Sequence, residues 1–291
     1  MGFICTQCPR GCNAKRLDEK GAGVCGMPAL PRVARAALHY GEEPCISGTK
    51  GSGTVFFSGC PLHCRFCQNH IISQEGFGAT ITVERLAEIF RELVEQGAHN
   101  INLVNPTHYA AAIRTALDIY HPPVPVVYNS SVYERIETLR ALEGYVDVYL
   151  PDLKYLDGHL AATLSGAADY PAFAKEAVLE MARQTGPNQL GDDGLLHRGT
   201  IVRHLVLPGH TRESLSVLNW LKENLPTGTY ISVLLQYTPM GDLPSPLDRP
   251  LTPRECRKIR DFAEELDIDG YIQQRGSAGT EFIPSFDLTG V

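Results

Sequence analysis

Short apolar segments alternate with amphipathic segments from about residue 53 onward. The first apolar segment, GTVFFSG, is compact and uncharged, as a buried strand is expected to be. A cysteine-containing loop separates it from TVERLAEIFRELVEQG, where apolar residues recur every three or four positions and predict an amphipathic helix. Thr82 is suited to cap the start of this helix, and Gly97 is suited to end it.

The same strand–helix unit repeats along the rest of the chain. The next strands are HNINLVNP, VPVVYNSS, VDVYLPDLKYL, TIVRHLVLPG and YISVLLQYTPM, and DGYIQQRG would add one more. They are short and rich in Val, Ile and Leu, as strands covered on both faces are. Six strands alternating with helices predict an α/β fold with a parallel sheet. In such folds ligands bind at the carboxyl ends of the strands, so we expect the functional site there.

The first fifty residues do not follow this pattern. They carry four clustered cysteines, several glycines and prolines, and a stretch near PALPRVARAAL that predicts a short helix. We therefore expect three parts: a Cys-rich N-terminal metal-binding segment over residues 1–50, a core over 51–270, and a C-terminal strand and tail over 271–291.

Composition and charge narrow the class of protein. The chain has 291 residues, of which 43% are hydrophobic and 20% charged, so it can bury its own core as soluble globular enzymes do. Its net charge is −7 with no basic stretch, which makes nucleic acid an unexpected partner. No apolar run reaches transmembrane length and no signal peptide opens the sequence, so we expect a cytoplasmic protein without a membrane partner.

Nine cysteines are many for such a protein, and disulfides are rare in the cytoplasm. Three of them, Cys60, Cys64 and Cys67, follow the first predicted strand with the spacing C-x3-C-x2-C. Structural zinc takes four protein ligands, whereas three cysteines on a [4Fe–4S] cluster leave one iron open. An open iron can bind a small molecule through its amino and carboxylate groups. A three-cysteine zinc site or an incidental loop is the alternative.

This motif, with Phe66 before its last cysteine, resembles the cluster motif of radical S-adenosylmethionine (SAM) enzymes. The strand–helix alternation after it is similar to their partial (β/α)6 barrel. The resemblance implies a cluster that passes one electron to SAM, which cleaves to methionine and a 5′-deoxyadenosyl radical that abstracts hydrogen from a substrate. It also implies a flavodoxin or ferredoxin as the electron donor, and no catalytic side chain beyond the cluster ligands.

Further stretches resemble the branch that includes pyruvate formate-lyase activating enzyme. YLPDLKYLD is similar to that branch's Asp-x-Lys element, here Asp152 and Lys154, and RHLVLPGHT to its arginine-bearing strand, here Arg203. CRFCQNHIISQ, NLVNPTHY and the N-terminal CTQCPRGCNAKR are closer still to an uncharacterised activating-enzyme-like group. This branch implies a protein or peptide substrate, such as the backbone of a glycyl-radical enzyme.

One departure from the family concerns the contact to the SAM amino group. The family commonly has Gly-Gly-Glu after its second strand, where this chain has Asn105 and Thr107, which carry no charge. The residues to which the resemblance gives a role in cofactor binding are Phe66, Asn105, Thr107, Asn129, Ser130, Asp152, Lys154 and Arg203. Strand-end capping, a structural ion pair and a structural arginine are the simpler explanations for the last five.

A second set of cysteines, Cys5, Cys8, Cys12 and Cys25, lies near the start of the chain. Four cysteines form a closed ligand set, which predicts a metal centre. Three bunched cysteines and a remote fourth favour a second [4Fe–4S] cluster slightly over zinc, although the spacing matches neither pattern well. Either centre would help to fold a segment that has little apolar core of its own.

Two other functions remain open at this level. A radical SAM enzyme of this kind could act on a small metabolite or on another peptide. A non-catalytic iron–sulfur electron-transfer or metal-binding protein is the third possibility, but such carriers complete their clusters with four protein ligands, which Cys60, Cys64 and Cys67 do not supply.

Overall fold

The computed structural model of the protein describes residues 3–17, 21–273 and 284–291. The strands in these ranges are β1 (Phe3–Ile4), β2 (Lys15–Arg16), β3 (Arg32–His39), β4 (Ser52–Phe57), β5 (Ala79–Thr80), β6 (Ile101–Val104), β7 (Val126–Ser130), β8 (Val148–Pro151), β9 (Gln189–Leu190), β10 (Leu196–Leu205), β11 (Tyr230–Leu234) and β12 (Gly270–Ile272). The helices are α1 (Pro44–Ser47), α2 (His70–Ser73), α3 (Val83–Glu95), α4 (Ala110–Ile119), α5 (Ile136–Arg140), α6 (Gly158–Ser165), α7 (Tyr170–Thr185), α8 (Thr211–Asn224) and α9 (Pro253–Glu265), with a 3-10 turn at Thr107–Tyr109.

The main sheet confirms the predicted α/β fold. Its strands follow the order β12-β11-β10-β8-β7-β6-β4-β3-β5, with β9 beside β10. The strands β4, β6, β7, β8, β10, β11 and β12 pair in parallel, so their carboxyl ends meet at one edge. Strand β9 pairs antiparallel with β10. Among the described strands β5 and β12 end the sheet without pairing to each other, which corresponds to a partial barrel.

The segment PALPRVARAAL was expected to contain a short helix, and this prediction is wrong. The structure places strand β3 there, antiparallel to β4, with Val33 opposite Phe57 and His39 opposite Ser52. A free sheet edge exposes unpaired N–H and C=O groups, and β3 satisfies those of β4. The hydrogen bonds gained between β3 and β4 outweigh the local helical preference of the alanines and arginines.

The two faces of the sheet bury different clusters. Tyr128 and Tyr149 belong to a cluster with α6 to α9 on the outer face. Their neighbours Val127 and Val148 point the opposite way, into a cluster with Ile46 of α1. Successive residues of a strand face opposite sides, so α1 fills the inner side of the sheet. The N-terminal segment is therefore packed inside the barrel as well as along its edge.

Helix α6 ends beside the cysteine loop and is capped at both ends. The Asp157 carboxylate accepts hydrogen bonds from the backbone N–H groups of His159 and Leu160, at 2.7 and 3.2 Å. Gly166 follows the last residue with φ of 59°, a left-handed conformation that favours glycine. This stop places the carbonyl groups of the last turn close to the loop after β4.

The described part of the C-terminal tail lies along β3. The backbone N–H of Ala36 donates to the carbonyl of Thr289 at 2.8 Å, and that of Leu288 donates to Ala34 at 3.0 Å. Residues 274–283 of the predicted tail lie outside the described residues. Strand β12 lies within the predicted DGYIQQRG segment. None of the helices in the described ranges combines the length and the apolar character needed to cross a bilayer.

The inner-face cluster gives the first prediction. Ile46 is fully buried there, whereas Ile119 at the end of α4 is half exposed. We expect Ile46→Ala to lower the free energy of unfolding by about 2–5 kcal/mol, because a cavity remains where the side chain packed. Ile119→Ala is the control and should cost less than about 1 kcal/mol. Urea unfolding of both apoproteins measures the difference, and equal losses would contradict the packing of α1 inside the sheet.

Candidate functional site

A cavity of about 270 Å³ opens at the carboxyl edge of the parallel strands. Cys60, Cys64 and Cys67 all line it, as the loop after β4 turns them toward the same space. Phe66 of the same loop also lines the cavity. The ends of β6, β7, β8 and β10 contribute Asn105, Asn129, Ser130, Asp152, Lys154 and Arg203. The cavity therefore brings together every residue expected to bind the cofactors of the three-cysteine site except Thr107.

Cys60 and Cys64 are buried and Cys67 is partly buried, and hydroxyl groups bond to two of the three sulfur atoms. The Ser165 hydroxyl donates to Cys64 Sγ at 2.9 Å, and the Ser73 hydroxyl donates to Cys67 Sγ at 3.4 Å. Burial raises the pKa of the Cys64 thiol to about 12 and that of Cys67 above its ordinary value. Thiolates at these positions therefore need a compensating positive charge, which a bound metal would supply.

Lys154 and Asp152 add a charge pair beside the thiols. The Lys154 ammonium lies 3.4 Å from Asp152 Oδ2. Burial by itself would lower the pKa of Lys154, but Asp152 and the three thiols raise it above the ordinary value. Burial opposes ionisation of Asp152 as well, yet Arg203 and Lys154 outweigh it and lower that pKa. Both side chains are therefore charged at neutral pH.

Arg203 connects this pair to the N-terminal segment. Its guanidinium donates to Asp152 Oδ1 at 2.7 Å, to Asn129 Oδ1 at 2.5 Å and to Glu42 Oε2 at 2.8 Å. Glu42 Oε1 also accepts hydrogen bonds from Asn102 and Asn129. Sequence reasoning missed Glu42. The only signal for Glu42 was that a buried arginine needs acidic partners. That requirement does not tell where in the chain such a partner lies.

Asn105 lies at the position of the missing Gly-Gly-Glu element and contacts the cysteine loop. Its side-chain amide donates to the carbonyl of Gly59 at 2.9 Å, and its φ of 55° is one that asparagine tolerates. Its Oδ1 is buried with no hydrogen-bond partner among the described residues. The same holds for Ser131 Oγ and Gln236 Oε1, which also belong to residues lining the cavity. Unpaired buried polar atoms fit a cavity built for a polar ligand such as SAM.

Thr107 does not make the expected contact with this cavity. Its hydroxyl donates instead to Glu134 Oε1 at 2.6 Å, on the outer face where Tyr128 donates to the same oxygen at 3.4 Å. The 3-10 turn after β6 directs Thr107 away from the cavity, although Asn105 two residues earlier lines it. Residues two positions apart, such as Asn105 and Thr107, face the same side only while the chain between them stays extended.

The four N-terminal cysteines also come together. Cys5, Cys8, Cys12 and Cys25 line one small cavity, although Cys25 is distant from the others in the sequence. Burial raises the pKa of Cys8 to about 12, and the neighbouring thiols add to the increase. In the arrangement shown, the described residues include no group of three or more His, Cys, Asp or Glu side chains that could hold a single metal ion. The metal centre at this position stays a prediction.

Comparison with known families and proteins adds three results. Residues 54–239 match the family model of the Radical SAM superfamily, which covers more than half of the chain. The uncharacterized protein MJ0674 of Methanocaldococcus jannaschii is 29% identical over 277 residues, covering 91% of this chain and 75% of its own length. SuiB of Streptococcus suis bound to S-adenosylmethionine shares the fold, with a TM-score of 0.51 and 12% identity. That match covers 80% of this chain, which spans about half of SuiB (52%).

Glu134, the partner of Thr107, gives the second prediction. Burial raises its pKa from 4.5 to about 7, against the opposing hydrogen bonds of Thr107, Ser130 and Tyr128. The folded protein therefore holds the proton more tightly than the unfolded chain, and stability is lost as the pH rises through 7. Glu134→Gln removes this loss, so its free energy of unfolding should exceed that of the wild type by up to about 3 kcal/mol at pH 8.

The difference should shrink toward zero near pH 4, where the carboxyl is protonated in both states. Urea unfolding at pH 4, 6 and 8 measures it. Glu137→Gln on the exposed side of α5 is the control, with an expected change below about 0.5 kcal/mol. A Glu134→Gln effect that does not depend on pH would show that the carboxyl stays in one protonation state.

Proposed function

Because the chain belongs to the radical SAM superfamily, we propose that it binds a [4Fe–4S] cluster through Cys60, Cys64 and Cys67 and binds SAM in the cavity beside them. The family implies both cofactors and an enzymatic activity. The observation that carries the residue assignment is that these three thiols converge on one cavity at the carboxyl edge of the sheet. When bound, the two cofactors supply one-electron reductive cleavage of SAM and, from it, hydrogen abstraction from a substrate.

The residues of this chain contribute placement, charge and shielding. The Lys154 ammonium offsets the negative charge that three thiolates bring to the cavity. Asn105 holds the carbonyl of Gly59, next to Cys60, and leaves its own oxygen free for a donor on the ligand. Cys60 and Cys64 are themselves buried, which limits the access of water to their sulfur atoms.

Arg203 has a supporting role in this proposal. Each of its three guanidinium nitrogens donates one hydrogen bond, to Asp152, Asn129 and Glu42. The guanidinium therefore holds these polar side chains of the cavity in position, and the second N–H of Nη1 and of Nη2 is left for a ligand carboxylate. Asn129 and Ser130 lie at the end of β7, where their polar atoms can reach the ligand from the sheet.

For the substrate we propose a protein or peptide, with hydrogen abstracted from its backbone as an activating enzyme does. The support is the likeness of the Asp152–Lys154 element and the Arg203 strand to the activating-enzyme branch. Fold alone does not identify a substrate, since one fold serves many reactions. A small metabolite remains the second candidate.

The third prediction tests the reductive cleavage of SAM. Protein reconstituted anaerobically with iron and sulfide should convert SAM to 5′-deoxyadenosine and methionine when dithionite is added, which chromatography detects. Cys64→Ala should reduce this formation at least 100-fold, because the cluster loses a ligand. Cys256→Ala in α9, outside both cysteine groups, is the control and should retain it. A wild-type protein that carries about four irons at this site and forms no 5′-deoxyadenosine would disprove the proposal.

The fourth prediction concerns the N-terminal cysteines, where we propose a second [4Fe–4S] cluster. Metal analysis of the reconstituted wild type should give about eight irons per chain, or about four irons and one zinc if the centre is zinc. A variant with alanine at Cys5, Cys8 and Cys12 should lose about four irons and keep the SAM-binding cluster. Equal metal content in wild type and variant would show that these cysteines hold no metal.

A further inference from the structure

The two groups of cysteines meet at the carboxyl end of α6. The backbone N–H of Arg65, in the loop of the three cysteines, donates to the carbonyl of Leu164 at 2.9 Å. From the N-terminal segment, the guanidinium of Arg10 donates to the carbonyls of Ser165 and Gly166, at 3.0 and 2.5 Å. These are carbonyls that a helix end leaves without partners of its own, and a cation is favoured there.

Arg10 also contacts the loop of the three cysteines directly. Its Nε donates to the carbonyl of Pro61 at 2.6 Å, next to Cys60. Its guanidinium lies 5.5 Å from the centre of the Tyr133 ring, a distance at which a cation and an aromatic face attract each other. One side chain thus joins the helix end to the cysteine loop.

The same residue belongs to the N-terminal cysteine site. Arg10 lies between Cys8 and Cys12 in the sequence, and it lines the same small cavity as the four N-terminal cysteines. The backbone N–H of Gly11 donates to the carbonyl of Cys8 at 3.2 Å, which holds this turn closed. The position of the Arg10 side chain therefore depends on how the N-terminal site is folded.

Ser165 connects the end of α6 to one of the proposed cluster ligands. It is the last residue of α6, and its hydroxyl donates to Cys64 Sγ at 2.9 Å while lying 3.0 Å from the hydroxyl of Tyr155. A hydrogen bond to a ligating sulfur stabilises the more negative, reduced form of an iron–sulfur cluster more than the oxidised form. Such bonds are among the features that set cluster potentials.

We propose that Arg10 and Ser165 are positioning residues for the SAM-binding cluster, through which the N-terminal segment raises its reduction potential. The proposal rests on the proposed function, because it needs a cluster on Cys60, Cys64 and Cys67. Arg10 holds the last turn of α6 against the cysteine loop. This keeps the Ser165 hydroxyl directed at Cys64 Sγ.

The test is an anaerobic redox titration of the reconstituted protein, followed by electron paramagnetic resonance of the reduced cluster. Ser165→Ala should make reduction of the cluster about tenfold less favourable, which lowers the potential by about 59 mV for one electron. Arg10→Lys keeps the positive charge but loses the planar guanidinium that bonds to two carbonyls. It should make reduction of the cluster about threefold less favourable. Circular dichroism checks that each variant is folded.

A double-mutant cycle separates the proposed connection from a general loss of order. In the Ser165→Ala background, Arg10→Lys should have almost no further effect, because the bond that it positions is already absent. Ser73→Ala is the matched control, since it removes a hydroxyl 3.4 Å from Cys67 Sγ that Arg10 does not contact. In that background Arg10→Lys should keep its full threefold effect.

The outcomes distinguish this inference from the proposed function. If Arg10→Lys lowers the potential equally in the Ser165→Ala background, or leaves it unchanged in the wild type, the inference is wrong while the cluster assignment stands. If Ser165→Ala does not shift the potential, the inference is wrong as well. If wild-type protein takes up no iron through Cys60, Cys64 and Cys67, the proposed function fails and the inference fails with it.

Discussion

The buried guanidinium of Arg203 joins parts of the chain that are far apart in the sequence. It bonds to Asp152 after the adjacent strand β8, to Asn129 on β7, and to Glu42 of the N-terminal segment. Removing one partner of such a buried group typically costs about 3–5 kcal/mol, because a charge is left unpaired. The shape of the cavity depends on this interaction, since its polar side chains are oriented by it rather than by local backbone structure.

Charge balance explains why the three thiols and the polar cluster share one cavity. Burial disfavours a thiolate at Cys64, so a stable site needs positive charge close by. Lys154 provides one fixed charge, and Asp152 keeps that lysine ionised. Metal binding to the thiols would complete the balance.

The N-terminal segment is part of the core site as well as a separate cysteine-rich region. Glu42 reaches Arg203, Ile46 fills the inner face of the sheet, and Arg10 contacts Pro61 and Ser165. These contacts attach the segment to the sheet and to the loop of the three cysteines. They also mean that changes in the segment can affect the loop of Cys60, Cys64 and Cys67 through direct contacts.

The sequence by itself determined the parallel α/β fold and the three-cysteine motif, because strand–helix alternation and close cysteine spacing are local patterns that can be read along the chain. It also pointed to Asn129, Asp152 and Lys154, since the ends of parallel strands share one edge. Only the tertiary structure decided that PALPRVARAAL forms β3, that Thr107 turns outward, and that Glu42 and Ser165 reach the site. Those outcomes depend on contacts between residues far apart in the chain, whose energies outweigh local preference and leave no periodic signal in the sequence.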